Sequence, residues 1–304
     1  MSKSNLKINL EYLIARLLLA TFRMLPLRLS VWLGSRLAGL TYYLSGRLRR
    51  VGERNLALAF PERTDAERRR ILRDSFSGWG RLFGVFSHFW RRNHEPLKQL
   101  IRPEGLDHLQ AAQAEGRGMI LFTGHVGAWE LSSFGLSLFG HPLSFLVRRI
   151  DNPKIEALVD EARTSLGNRT IDKRSAAREM LQIMQDRGTL GILVDLNTLD
   201  REAIFVDFFG VPASTTFIVA KLALRTGAPL LPVFVPWDRQ EQKFVLKIDE
   251  PLQFEPTGDE TEDVRLLTQA YTRVVENYVR RYPDQWLWIH RRWKTRPPGE
   301  AGIY

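Results

Sequence analysis

From about residue 101, short and almost continuously apolar runs alternate with helical patterns, and this alternation constrains the fold most. Strands that are apolar at every position are typical of sheets covered by helices on both sides. The pattern predicts an α/β layered domain with a mostly parallel or mixed sheet. The predicted strands are residues 118–123, 143–147, 189–195, 203–209, 229–235 and 243–249. Helices are predicted near residues 126–139, 153–166, 175–187, 213–226 and 261–281.

The first 60 residues are predicted to be helical and close to a membrane. Arg16 and Arg23 interrupt the apolar segment "NLEYLIARLLLATFRMLPLRL", so no run of about 18 apolar residues supports a clean transmembrane helix. Glu11 before the apolar residues, with no evident small-residue cleavage site, argues against a signal peptide. A long apolar face opposite arginines predicts a helix that lies in the membrane interface. An ordinary amphipathic core helix and a tilted, spanning helix are the alternatives.

A long helix is predicted for residues 64–90. Thr64 and Glu67 form a capping-box pattern at its start, and aromatic residues recur along it at helical spacing. Core or helix–helix packing is the simpler role for these aromatic residues. A wall along an acyl-chain groove is the alternative.

The composition excludes some chemistries and favours anionic partners. The chain contains no cysteine, which excludes disulfides, thiolate metal sites and cysteine nucleophiles and points to a reducing compartment. A net charge of +10 favours nucleic acid, acidic proteins, anionic lipid or phosphorylated substrates, and charge does not choose among them. Further basic residues in "SGRLRRVGERN" suit an anionic leaflet, and no standard nucleic-acid motif is evident.

His125 and Glu130 are the candidate catalytic pair, in the segment "GHVGAWE" directly after the predicted strand 118–123. On one continuous helix, five residues would place the two side chains about 140° apart around the axis. If Gly124 and His125 instead form a turn and the helix begins near Val126, the histidine can fold back toward Glu130. Glu130 would then fix the imidazole tautomer and leave the other ring nitrogen as a general base. The simpler alternative is an incidental pair of polar residues.

Five segments together resemble the lipid A biosynthesis (lauroyl/myristoyl) acyltransferases, within the wider HX4D/E glycerolipid and lysophospholipid acyltransferases. "FTGHVGAWE" is similar to the HX4E motif of that family. The other similar segments are "RRVGERNLALAFP" (49–61), "VRRIDNP" (147–153), "VDFFGVPASTT" (206–216) and "QWLWIHRRWKTRP" (285–297). The resemblance implies a glycerolipid-acyltransferase-like α/β fold, with an N-terminal membrane-associated helical segment (1–60) and an acyltransferase domain (61–304).

The resemblance also implies an activity, the transfer of a fatty acyl group from acyl carrier protein or coenzyme A to a hydroxyl of a lipid A precursor. His125 would be the general base and Glu130 its orienting partner. Because the donor is already a thioester, neither a cofactor nor a metal is expected. Amides at the start of the 126–139 helix are expected to stabilise the oxyanion.

Three further residues are expected to bind substrate. By its position in the second block, Arg148 is expected to pair with a phosphate or carboxylate of the acceptor, with Arg149 as a close competitor and a structural salt bridge as the alternative. Asp195 stands at a strand end where the family reads Asp-Gln, but this chain has Leu196. Asp195 is therefore predicted either to position the acceptor or to make structural hydrogen bonds. The basic and aromatic stretch 285–297 is assigned to lipid headgroups, carrier protein or packing.

The expected partners are acyl carrier protein, a membrane lipid acceptor and an anionic membrane surface, with no nucleic acid. The expected location is the cytoplasmic face of the bacterial inner membrane. Two alternative functions are kept open. One is an acyltransferase for lysophospholipids or other glycolipids, and the other is a noncatalytic lipid-binding relative.

Overall fold

A computed structural model describes residues 4–172, 176–198 and 202–304 of the chain. Within these ranges the helices are α1 (Asn5–Met24), α2 (Leu27–Leu44), α3 (Gly46–Ala59), α4 (Asp65–Phe86), α5 (Glu95–Leu100), α6 (Leu106–Ala114), α7 (Glu130–Leu138), α8 (Pro153–Thr164), α9 (Ala176–Gln185), α10 (Ile218–Thr226) and α11 (Glu260–Arg281). The strands are β1 (Ile101–Glu104), β2 (Met119–Thr123), β3 (Ser144–Val147), β4 (Arg169–Asp172), β5 (Thr189–Leu193), β6 (Ala203–Phe208), β7 (Val211–Thr216), β8 (Leu230–Phe234), β9 (Trp237–Asp238) and β10 (Lys243–Ile248).

One mixed sheet organises the second part of the chain. Its strands lie in the order β1-β10-β8-β2-β5-β3-β4, with β9 paired to β10. Strands β8, β2, β5, β3 and β4 run parallel, whereas β10 is antiparallel to β8. β6 and β7 form a separate antiparallel hairpin. The predicted α/β architecture with a mixed sheet is confirmed, and each of the six predicted strands is present.

Strand β2 shows why the apolar runs have no polar positions. All five of its residues are buried. Ile120 and Phe122 belong to one hydrophobic cluster, whereas Met119 and Leu121 belong to a second cluster. Successive side chains of a strand point to opposite faces of the sheet. β2 is therefore covered on both faces, and every position along it has to be apolar.

Two helix predictions are wrong at their first residues. The helix predicted near 126–139 begins only at Glu130, and the helix predicted near 213–226 begins only at Ile218. The residues from Val211 to Thr216 form strand β7 instead and pair with β6. The short strands β1, β4, β7 and β9 were not predicted, because runs of two to six residues give little periodicity.

Helices α2 and α4 cross at glycines. A Cβ atom added to Gly34 would overlap the carbonyl oxygen of Gly80, and one added to Gly80 would overlap that of Gly34. Glycine at both positions therefore allows direct contact between the two backbones. The long helix predicted for residues 64–90 is α4, and the Thr64–Glu67 capping box at its start is confirmed.

Helix α1 presents an exposed apolar face and packs beside α8. The Asn152 side chain, which caps α8, donates a hydrogen bond of 2.9 Å to the carbonyl oxygen of Ile8. Within the described residues, no helix combines the length and the apolar character needed to cross a membrane. The division at residue 60 stays a prediction, although Leu56 and Phe76 share one hydrophobic cluster across it. The exposed apolar residues of α1 are Leu6, Leu10, Leu13, Ile14, Leu17, Leu18 and Met24.

Candidate active site

His125 and Asp195 meet at the carboxyl ends of two neighbouring strands. β2 and β5 run parallel, and Thr123 at the end of β2 is in register with Leu193 at the end of β5. His125 and Asp195 each follow two residues later, so the sheet brings them to the same level. Ligand and reaction sites of parallel α/β sheets lie at this edge. The expectation that His125 stands at the end of a strand is confirmed.

The Asp195 carboxylate is the hydrogen-bond partner of the His125 imidazole. One carboxylate oxygen accepts from His125 Nδ1 at 2.7 Å. The other accepts from the His125 backbone N–H and from Trp286 Nε1, each at 2.7 Å. Because Nδ1 donates to the carboxylate, the neutral imidazole carries its proton there and Nε2 is left as an acceptor. Nε2 has no hydrogen-bond partner among the described residues.

Asp195 stays ionised although its side chain is 0% exposed. Burial alone would raise the pKa of Asp195, but the charge and the hydrogen bonds of His125, together with the bond from Trp286, outweigh it and lower the pKa to about 2. Asp195 was predicted to bind the acceptor or to be structural. Its hydrogen bonds to His125 and Trp286 agree with the second prediction, and a role in positioning the acceptor stays a prediction.

The backbone between His125 and the start of α7 is held by distant parts of the chain. The Gly127 N–H donates to the carbonyl oxygen of Gln285 at 2.8 Å, and the Ala128 N–H donates to that of Val235 at 2.9 Å. Gly127 has a φ of 66°, and a Cβ atom there would overlap the Val235 carbonyl group. A glycine is therefore required at this position.

These pairings narrow one expectation about catalysis. The amide of Val126 donates to the carbonyl oxygen of Gly124, and the amides of residues 125, 127 and 128 have protein acceptors as well. These four amides are therefore not free to stabilise an oxyanion. The amides of Trp129 and Glu130, at the observed start of α7, have no acceptor among the described residues, so an oxyanion role for amides at the helix start stays a prediction.

Glu130 does not bind His125 in this structure. Its carboxylate accepts two hydrogen bonds from the Arg163 guanidinium on α8, from Nε at 3.0 Å and from an Nη atom at 2.5 Å. The prediction that His125 and Glu130 are hydrogen-bonded to each other is therefore wrong. The physical reason is competition: a bidentate arginine is the stronger partner for Glu130, and Asp195 already occupies the Nδ1 atom of His125.

Two cavities meet at His125. The first, which we name the apolar cavity, has a volume of about 210 Å³ and also contains the Glu130–Arg163 pair. Its walls are mainly Leu121, Phe122, Leu136, Leu143, Phe145 and Val233. The second, which we name the polar cavity, has a volume of about 320 Å³. Its polar lining residues, besides His125, are Arg148, Asn197, Thr198, Glu202, Thr216 and His290.

Arg148 and Arg149 lie in different surroundings. Arg148 lines both cavities and has no ion-pair partner among the described residues. The Nε atom of Arg149 instead lies 2.9 Å from a carboxylate oxygen of Asp172, and this arginine lines neither cavity. Of the two residues between which the sequence left the choice open, Arg148 is the one at the site.

The centre of the C-terminal signature (285–297) is buried packing around the site. Trp286, Trp288, Trp293 and Arg292 are each 0% exposed. Arg292 donates to the carbonyl oxygens of Ser214 at 2.6 Å and of Leu196 at 3.3 Å. It thereby fastens the segment after Asp195 to β7. Position 196 contributes its main-chain carbonyl here, so the departure from the family's glutamine leaves this contact intact.

Sequence reasoning missed Arg163, Trp286 and His290 as parts of the site. The register of β2 with β5 could have paired His125 with Asp195, because His125 lies just beyond one predicted strand and Asp195 is the last residue of another. No sequence signal pairs Glu130 with Arg163. Among the described residues, no three or more acidic or histidine side chains converge where they could hold a metal ion.

The chain matches, over residues 3–295, the family model described as bacterial lipid A biosynthesis acyltransferase. It is 30% identical over 289 residues to the lipid A biosynthesis lauroyltransferase of Escherichia coli (strain K12), covering 92% of this chain and 90% of that protein. It is 26% identical over 281 residues to the lipid A biosynthesis palmitoleoyltransferase of the same organism, covering 92% of this chain and 90% of that protein. It is 23% identical over 264 residues to the lipid A biosynthesis myristoyltransferase of the same organism, covering 86% of this chain and 80% of that protein. The chain therefore belongs to the bacterial lipid A biosynthesis acyltransferase family.

Proposed function

We propose that this acyltransferase moves a fatty acyl group from an acyl thioester to a hydroxyl of a lipid A precursor, with His125 as general base. The observation that carries the proposal is the position of His125 between two cavities, with Nδ1 bound to a buried carboxylate and Nε2 without a protein partner in the described ranges. The relatives are named for lipid A biosynthesis, and this supports the choice of acceptor.

The two cavities suit the two substrates. The apolar cavity is lined mostly by leucine, phenylalanine and valine side chains, which suits a fatty acyl chain. The polar cavity offers hydroxyl, amide, imidazole and guanidinium groups, which suits the sugar and phosphate groups of the acceptor. Arg148 lines both, so its guanidinium can pair with an anionic group close to the reacting atoms.

The chemical step follows from the tautomer of His125. Nε2 takes the proton of the acceptor hydroxyl while the hydroxyl oxygen attacks the thioester carbonyl carbon and the C–O bond forms. Collapse of the tetrahedral intermediate breaks the C–S bond, and the imidazolium returns its proton to the leaving thiolate. Asp195 stays ionised and stabilises the imidazolium. Glu130 supports the site through Arg163 and not as the partner of His125.

Acyl carrier protein or coenzyme A is the proposed source of the acyl group. A cavity of about 720 Å³ between α1 and Trp90 is lined by Arg16, Arg23, Arg91 and Arg92 together with apolar side chains. This mixture of charge and apolar surface suits an acidic carrier protein or an anionic lipid headgroup.

The cytoplasmic face of the bacterial inner membrane is the proposed location. The exposed leucines of α1 recur every three to four residues along one face, as in helices that lie in a membrane interface. α1 contacts α8, which carries Arg163 of the site. A lipid in that membrane would therefore be close to the apolar cavity, which Arg163 lines.

The test is acyl transfer by the purified full chain, with products identified by mass spectrometry. The donor is either acyl-loaded carrier protein or acyl-coenzyme A, and the acceptor is either a lipid A precursor or a lysophospholipid. We expect transfer to the lipid A precursor and a loss of about 10³-fold in kcat for His125→Ala. His141→Ala is the matched control, because His141 lines neither cavity, and it should keep full activity.

Three results would contradict the proposal. A folded His125→Ala variant with normal turnover would exclude the role of His125 as base. Acylation of the lysophospholipid without acylation of the lipid A precursor would exclude the proposed acceptor. If no product forms with any of the four substrate pairs, the noncatalytic alternative is favoured.

A further inference from the structure

A second histidine, His290, lines the polar cavity together with His125. Its Nε2 atom accepts a hydrogen bond of 3.0 Å from the backbone N–H of Asn197. Its carbonyl oxygen accepts from the side-chain amide of Asn55 at 2.7 Å. Both the ring and the backbone of His290 are thus held in place.

The bond from Asn197 determines where the His290 ring can carry its proton. A ring nitrogen that accepts a hydrogen bond is not protonated, so the neutral imidazole carries its hydrogen on Nδ1. Nδ1 has no hydrogen-bond partner among the described residues, and it is not fully buried. It is a free N–H donor on a ring that lines the polar cavity.

The charge of His290 follows from its surroundings. Burial lowers the pKa of His290 to about 4, and the charges of His125 and Arg292 act in the same direction against that of Asp195. The ring is therefore neutral near neutral pH. Since its acceptor atom is occupied by the amide of Asn197, His290 cannot serve as a base there, and only hydrogen-bond donation is left to it.

We propose that His290 binds the acceptor by donating a hydrogen bond from Nδ1 to an uncharged oxygen, a hydroxyl or an ester carbonyl, of the lipid in the polar cavity. This inference rests on the proposed function, because it assigns the polar cavity to the acceptor. Arg148 binds an anionic group, whereas His290 selects an uncharged oxygen next to the reacting hydroxyl. The chain thus uses one imidazole as base and a second, neutral imidazole for recognition.

Two substitutions separate recognition from support of the loop. In His290→Gln, Oε1 can occupy the place of Nε2 and accept from Asn197, but the donor at the Nδ1 position is lost. In His290→Asn, Nδ2 can occupy the place of Nδ1 and donate into the cavity, but the bond from Asn197 is lost. A purely structural role predicts that His290→Asn is the more damaging change. A recognition role predicts the reverse.

Steady-state kinetics with the full chain, a lipid A precursor and acyl-loaded carrier protein is the experiment. We expect His290→Gln to raise the acceptor KM about tenfold, with the donor KM and the Tm unchanged. We expect His290→Asn to keep the acceptor KM within about threefold of wild type while lowering the Tm. Wild type and His125→Ala measured in parallel test the proposed function independently of His290.

A normal acceptor KM in His290→Gln would overturn the inference, as would a larger rise in His290→Asn than in His290→Gln. If wild type transfers the acyl group and His125→Ala does not, either result counts against the role of His290 alone. If wild type does not acylate the lipid A precursor, the proposed function itself fails, and the inference fails with it.

Discussion

Asp195 and Glu130 are both close to His125, and the two carboxylates differ in exposure and in hydrogen-bond partners. Asp195 is 0% exposed and accepts from an imidazole, an indole and a backbone amide. Glu130 is 17% exposed, lines the apolar cavity and is bound by one guanidinium. The residue that is near His125 in sequence is the one that pairs elsewhere. The partner comes from the neighbouring strand, 70 residues further on.

The difference teaches that adjacency of strand ends decides the pairing here, not spacing within a motif. Parallel strands place their carboxyl ends at one edge of the sheet, so residues far apart in sequence meet there. A residue on the following helix turns away with that helix. Glu130 is the first residue of α7 and meets α8, which packs on the same side of the site.

The largest effect in this comparison is expected from Asp195→Asn. An amide has one acceptor oxygen, whereas the carboxylate accepts from three N–H groups, so at least one donor would face the amide NH₂ group. The imidazolium formed during the reaction would also lose its counter-charge. We expect kcat to fall about 10²–10⁴-fold, measured by acyl transfer to a lipid A precursor. A folded Asp195→Asn variant with more than half of wild-type turnover would contradict the assigned role.

Glu130→Gln should have a smaller effect. The Arg163 guanidinium loses its counter-charge but can keep one hydrogen bond to the amide oxygen, so we expect a loss of about tenfold in kcat/KM and a lower Tm. The double variant Glu130→Gln with Arg163→Met is the control, because it removes the unpaired charge as well. If Glu130→Gln alone costs as much kcat as Asp195→Asn without a fall in Tm, the motif-based role of Glu130 is correct after all.

Trp286→Phe should have the smallest effect, because it removes only the indole N–H that donates to Asp195 and keeps the Asp195 carboxylate. Trp288→Phe is its matched control: Trp288 is equally buried, but its Nε1 donates to the Pro283 carbonyl oxygen at 2.6 Å. Both variants should lose stability at every pH through lost packing. Only Trp286→Phe should change the pH dependence of unfolding.

The sign follows from the lowered pKa of Asp195. A carboxyl whose pKa is about 2 in the folded chain, against an ordinary 3.8, stabilises the fold above pH 3.8 and loses this contribution as pH falls toward 2. Without the indole donor the pKa of Asp195 rises toward 3.8, and the contribution shrinks by about 1.4 kcal/mol for each pKa unit regained. Urea unfolding at pH 7 and pH 3 should therefore give a smaller difference for Trp286→Phe than for Trp288→Phe. Equal differences would show that the indole does not stabilise the ionised carboxylate.

Much of the sheet could be predicted from sequence, because a strand covered on both faces is a continuous run of apolar residues. The position of His125 at a strand end could be predicted from the apolar run at residues 118–123. The start of α7 could not be predicted, because residues 126–128 pair with Trp286 and Val235, more than 100 residues away. Local periodicity contains no information about such pairings. For the same reason the bidentate pair between Glu130 and Arg163 was beyond reach, and the motif spacing favoured the wrong partner for His125.

The burial of residues 286–293 against the strand ends has a consequence for the order in which the enzyme is made. Trp286 provides a donor to Asp195, His290 lines the polar cavity and Arg292 fastens the segment after Asp195. During translation these residues leave the ribosome after every other part of the site. The proposed site therefore cannot be complete in a nascent chain until this last segment has docked.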